Sequence, residues 1–177
     1  MTNDRRHPPS DAPASVDAPA GGGASGPSNG IELRCWSKAE NLCAIRACVE
    51  RFAANAGFDE EHQGRIALAV DEAVANIIRH GYRGRDDGPI LLRLQTLHGG
   101  GMRVELEDEG ERFDPAAIAP RDLSEVRPGG LGIHIIRSTF ERCSWKPRPL
   151  RGMSATLEVG LHAPLPTLPA EARRPRG

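Results

Sequence analysis

Apolar and polar positions alternate over IELRCW, Ile31 to Trp36, which predicts a short strand. SKAE follows, and its Ser37 and Glu40 have the spacing of a capping box, in which two side chains satisfy the orphan amides of a helix start. Leu42, Ile45, Val49 and Phe52 then recur at helical spacing and predict a helix that Gly57 ends. A second helix is expected from near Asp59, with Asp59, Glu60 and Glu61 at its positive end, to about His80, where Gly81 stops it. PILLRLQTL (Pro89 to Leu97) and MRVELEDEG (Met102 to Gly110) have strand periodicity, and the short HGGG between them predicts an antiparallel hairpin. Arg112 to Gly130 carries prolines and charges without periodicity, and a connection that long in a compact domain is usually functional or mobile. GLGIHIIRSTFERC reads as a helix and GMSATLEVGL as a final strand. The order β-α-α-β-β-loop-α-β-β predicts an α+β fold, a two-layer α/β sandwich with helices on one face of a mixed, mostly antiparallel sheet.

Three clusters sit oddly in this pattern. DEAVANIIRHGY is apolar enough to be buried, yet Glu72, Asn76 and His80 fall at steps of four and share one helix face. In the second hairpin strand Met102, Val104 and Leu106 mark the apolar face, and continuing the alternation puts Asp108 on it. A carboxylate there needs donors, and Gly110, two residues on, lets a backbone approach closely. In PGGLGIHII, glycines before a helix leave amides free at its positive end, a natural phosphate site. Each cluster also has a plain reading: a solvent-facing helix edge with His80 favouring the dipole, a strand ending in a solvated polar turn, and a flexible helix start.

Composition narrows the function classes. Over 177 residues, 23 Lys and Arg against 24 Asp and Glu give a net charge of −1, so there is no general attraction to nucleic acid or anionic membrane. Cys35, Cys43, Cys48 and Cys143 form no CxxC pair and no zinc spacing, which suits a reduced, cytoplasmic protein with incidental thiols. No signal peptide or apolar run of membrane-spanning length is visible. Residues 1–30, rich in Pro, Gly, Ala and Ser, are expected to be disordered, residues 31–162 to form the domain, and the Pro-rich residues 163–177 to be a loose tail.

Taken in order, the three clusters resemble the boxes of the Bergerat ATP-binding fold of the GHKL superfamily (gyrase, Hsp-type chaperone, histidine-kinase and MutL ATPases). Within it the chain is most similar to the anti-sigma-factor serine kinase branch, the SpoIIAB and RsbW type. The helix box stands as Glu72, Asn76, His80, Gly81 and Tyr82, the first glycine box as DEGERFDP and the second as GGLGIHII. The resemblance implies that Asn76 carries Mg²⁺ and that Glu72 is the catalytic base. It further implies that Asp108 accepts from the adenine amino group, that Gly110 leaves room for the base, and that 113–130 is an ATP lid. The amides around Gly130 to Gly132 would meet the phosphates, which makes Asn76, Asp108, Gly110, Phe113, Gly130, Leu131, Gly132 and Ile133 the nucleotide-binding set. His80 and Tyr82 would fix the helix end and pocket wall. The chain departs from the pattern at Arg112, where relatives often have glycine, and at GMSAT, where many relatives have a Gly-Thr that helps hold adenine and this chain offers Ser154 or Thr156.

The implied activity is a regulatory serine/threonine kinase that binds a sigma factor or similar target and phosphorylates a serine on a STAS-domain antagonist, with homodimerisation common in the family. Two other readings stay open: an ATP-binding module without phosphotransfer, and a stand-alone histidine-kinase-like catalytic domain. A gyrase-like ATPase is disfavoured, since no transducer domain follows.

Overall fold

A computed structural model describes residues 29–114 and 131–164. The expected tails lie almost wholly outside these residues, as do positions 115–130 of the expected lid. The elements run β1 (Gly30–Trp36), α1 (Asn41–Asn55), α2 (Glu60–Asn76), a wide turn Ile77–Gly81, β2 (Pro89–Thr96), β3 (Met102–Asp108), α3 (Leu131–Thr139), β4 (Arg142–Pro147) and β5 (Met153–Val159). The sheet order is β1-β2-β3-β5-β4. The element order and the α+β sandwich are those expected, but the sheet is not mixed: all four pairings among the described residues are antiparallel.

Alternation sorts the two faces of the sheet. Ile90, Leu92, Leu94, Met102, Val104, Leu106, Leu157 and Val159 are buried beneath the helices, against Ile45, Val49, Phe52, Ile66, Val70, Val74, Ile135 and Ile136. The opposite face carries a lattice of opposite charges, with Arg93 bridging Glu32 at 2.8 Å and Glu107 at 2.7 Å, and Arg103 donating to Glu158 at 2.7 Å. Such surface pairs, exposed or half-buried, contribute little each; the apolar face holds the layers together.

The first helix start differs from the capping-box expectation. Glu40 is the N-cap residue of α1 but makes no side-chain capping bond. Ser37 instead donates to the Arg85 carbonyl at 2.6 Å and accepts from the Gly88 amide at 3.0 Å, tying the end of β1 to the segment before β2. A hydroxyl buried between two strands is satisfied by whichever backbone reaches it, and here the nearer backbone is remote in sequence. Asp59 caps α2 through the His62 amide, as its position predicts. α3 is shorter than read, since Arg142 and Cys143 belong to β4. All four cysteines are free thiols. Among the described residues no helix is long and apolar enough to cross a membrane.

Ala163, expected to open the tail, is buried and is held by His62. The two ring nitrogens of His62 face two acceptors, Asp59 Oδ1 at 2.7 Å and the Ala163 carbonyl at 3.1 Å. Both are satisfied together only when the ring is protonated. Burial opposes that charge, but the bonds to Asp59 and Ala163 outweigh it and the pKa is raised. A histidine raised in the folded state contributes stability that is complete below its unfolded pKa and is lost as pH rises through the folded one. His62→Gln should therefore lower Tm by a few degrees at about pH 5.5 and by much less at about pH 8. An equal loss at both values would show that His62 acts by packing alone.

Candidate active site

Glu72 and Asn76 stand one turn apart at the C-terminal end of α2, with the Glu72 side chain only 14% exposed. Beyond Asn76 the helix widens, the Tyr82 amide donating to the Ile77 carbonyl at 2.9 Å and Gly84 to Ile78 at 2.8 Å. The wider turn carries His80 off the Glu72–Asn76 stripe and leaves it exposed, so the expected three-residue stripe is two residues long. Arg79, which is no member of that four-step pattern, meets the pair instead. Arg79 Nη2 lies 3.3 Å from Glu72 Oε2 and 3.2 Å from Asn76 Oδ1, while Nε donates to the Ala75 carbonyl at 3.2 Å. Its spacings of three from Asn76 and seven from Glu72 were the available signal. One cationic group thus meets oxygens of both residues.

Asp108 ends β3 on the inner face and is 4% exposed, as strand alternation requires. Its Oδ1 accepts from the Gly110 amide at 2.7 Å. Burial pushes its pKa up, against the amides of Gly110 and Met153 and the nearby Arg148 charge. Gly110 packs on the end of the helix box: a Cβ there would lie 2.5 Å from the carbonyl carbon and oxygen of Gly81. The Glu111 amide then donates to the Gly81 carbonyl at 2.8 Å. The close approach inferred for Gly110 is therefore made to protein backbone. Tyr82 is buried. Its ring fills the space beside Gly88, its hydroxyl donates to the Pro89 carbonyl at 2.5 Å, and it accepts from the Glu109 amide at 2.8 Å.

The second glycine box reaches the same place from α3. A Cβ on Gly132 would lie 2.9 Å from Glu72 Oε2, so the first turn of α3 runs against the Glu72 carboxylate. Leu131 is exposed and Ile133 half-buried on that turn; Gly130 lies outside the described residues. Phe113 is exposed where the chain leaves β3. Ser154 and Thr156 lie on the outer face of the sheet. They pair with Glu107 and Glu105, whose side chains occupy the outer face, so the register directs both away from Asp108.

Among the described residues no group of three or more His, Cys, Asp or Glu could hold a metal by itself. The Glu72–Asn76 pair offers oxygens only and already accommodates one positive group, Arg79, between them. That donor set fits Mg²⁺, which takes a few protein oxygens and completes its shell with water and phosphate.

Residues 35–157 match the family described as "Histidine kinase-like ATPase domain". The "Serine-protein kinase RsbW" of Listeria monocytogenes is 29% identical over 119 residues, 63% of this chain and 75% of that protein. "Blue-light-activated histidine kinase 2" of Erythrobacter litoralis is 31% identical over 105 residues, 59% of this chain but 28% of that protein. Among solved structures, the RsbU and RsbW domains of a Mycobacterium tuberculosis protein superpose with a TM-score of 0.57 at 19% identity, over 81% of this chain and 35% of that one.

The two glycines should respond differently to alanine. Gly110→Ala forces Cβ into main chain and should cost about 1–3 kcal/mol in denaturant unfolding. Gly132→Ala meets only the movable end of Glu72 and should unfold within about 0.5 kcal/mol of the parent. Equal losses would show that Gly110 and Gly81 do not form the rigid contact described.

Proposed function

The chain belongs to the histidine kinase-like ATPase family, and from that premise we propose that it is an ATP-dependent regulatory serine/threonine protein kinase of the anti-sigma-factor type. The observation that carries this reading is the convergence of Glu72 and Asn76 on one cation beside Gly132. A nucleotide-binding module has need of a metal ligand but none of a partly buried carboxylate beside it. Likeness to the Listeria kinase supports serine as the acceptor, and the partners then are a STAS-domain antagonist and a sigma factor or similar target. Residues 31–162 form the catalytic domain in this reading, working in the cytoplasm, with homodimerisation compatible with it.

The residues divide the work. Asp108, ionised, accepts a hydrogen bond from the adenine amino group, whereas guanine presents a carbonyl oxygen that would face the carboxylate unfavourably. Asn76 offers its amide oxygen to Mg²⁺, which when bound neutralises phosphate charge. Glu72 leaves Arg79 and takes the proton of the acceptor serine as its oxygen bonds to the γ-phosphorus and the bond to ADP breaks. Gly130 to Gly132 supply amides to the phosphates, with Phe113, Leu131 and Ile133 around the nucleotide and 113–130 as the lid. The Erythrobacter relative favours one second reading, a histidine-kinase-like domain phosphorylating a histidine on a partner.

Substitutions separate these readings. Asp108→Asn should weaken ATP by about 1–3 kcal/mol and abolish preference over GTP in calorimetry; equal ATP and GTP affinity in the parent would remove Asp108 from the base site. Glu72→Ala should retain ATP affinity while transfer of labelled γ-phosphate to a purified cognate STAS protein falls by about 10²–10⁴. Asn76→Ala should damage both. Acid-labile label on a partner histidine, with none on serine, would favour the second reading, and ATP binding without transfer would leave a binding module.

A further inference from the structure

Asp108 stands where the β3–β5 ladder runs out. On the β5 side the last paired residues are Glu107 and Ser154, whereas on the β2 side Asp108 still pairs with Ile90. The Asp108 carbonyl is taken by Arg148, from the turn between β4 and β5, at 2.8 Å through Nη1. The second arm of the same guanidinium, Nη2, lies 3.2 Å from Glu107 Oε2. One planar group thus spans the final two residues of β3, a geometry for which arginine is suited and lysine is not. The turn itself is tightly held. Arg148 N donates to the Gly152 carbonyl at 3.1 Å, Arg112 donates to the Arg148 carbonyl, and Arg151 donates to the Glu109 carbonyl at 2.6 Å. Gly152, at φ +77°, lies so close that a Cβ would fall 1.9 Å from the Asp108 oxygen, so no other residue fits there.

We propose that Arg148 is a positioning residue for the nucleobase subsite: by gripping the main chain of Asp108 and the Glu107 carboxylate together, it keeps the Asp108 side chain aimed inward and thereby sets the preference for adenine. The proposal rests on the reading of Asp108 as the adenine acceptor. It goes beyond that reading in assigning selectivity to a residue on a different hairpin.

Geometry and charge act in the same direction. The groups around the Asp108 carboxyl are the Gly110 and Met153 amides, the Glu109 carboxylate on its own chain, the Arg148 cation and the Tyr82 phenol. Burial and Glu109 favour the protonated form; the two amides and Arg148 favour the ionised one. A protonated Asp108 is a weaker acceptor for the adenine amino group and carries a hydrogen that the guanine carbonyl can accept. Selectivity for adenine is therefore present above the folded pKa of Asp108 and lost as pH falls through it. Removing Arg148 moves that loss to higher pH.

The test is the ratio of ATP to GTP affinity measured by calorimetry from about pH 5 to 8, a ratio in which titration of the phosphates cancels. Arg148→Met should reduce ATP affinity about tenfold with little change for GTP, and should move the midpoint of the acid loss of selectivity to higher pH. Arg148→Lys, which keeps the charge without the two-armed grip, should return the midpoint close to the parent value while restoring only part of the selectivity. Thermal melts check that both variants fold. Parallel losses for ATP and GTP with an unmoved midpoint would reduce Arg148 to a prop for the turn and overturn the proposal, as would an Arg148→Met variant identical to the parent. Asp108→Asn distinguishes the two levels. It should be unselective at every pH, and if it instead keeps the parent's selectivity, the adenine reading falls and the role of Arg148 with it. If it loses selectivity while Arg148→Met does not, only the present proposal falls.

Discussion

The site is held together by a contact between two stretches of main chain. Gly110 lies against Gly81 so closely that neither a side chain nor a water fits between them at that point, and the Glu111 amide fastens the Gly81 carbonyl. This joins the end of the helix that carries Glu72 and Asn76 to the end of the strand that carries Asp108. Because interiors are close-packed, a contact of that kind sets the relative position of whole elements. The widened turn at Ile77–Gly81 is its counterpart: it turns the chain out of the helix early enough for Gly81 to face β3.

Around that joint, two carboxylates sit in opposite surroundings. Asp108 is buried, its charge disfavoured by lost hydration and recovered in part from amides and Arg148. Glu72 faces a guanidinium on the solvent side of its helix. The first arrangement suits recognition, since a fixed and desolvated acceptor discriminates between donors and acceptors on a base. The second suits chemistry, because an arginine on an exposed helix end can move away and release a carboxylate for proton transfer. The charged lattice on the far face of the sheet meets the site only through Glu107, which Arg148 also contacts; its other pairs contribute little each.

Much of this could be read along the chain. Element order, the antiparallel hairpin, the burial of Asp108 and the face shared by Glu72 and Asn76 follow from periods of two and 3.6, because those periods are properties of the local backbone. Turn chemistry at Asp59 is equally local. The likeness to an ATP-binding family came from the order and spacing of three boxes, which survive even when identity is low.

What only the tertiary structure decided are matters of partnership. Ser37 has the spacing of a cap, yet a strand terminus far along the chain reaches its hydroxyl first. Ser154 and Thr156 are equivalent candidates by sequence, and strand register turns both to the outer face. His80 left the stripe because one widened turn changes the angular step, which no count of residues reveals. Arg79 and Arg148 occupy none of the motif positions, and their contacts, at about 3 Å, exist only once the chain is folded. The reason is common to all of them: a hydrogen bond depends on position in space, and sequence determines position only over the few residues that a single helix turn or strand pleat spans.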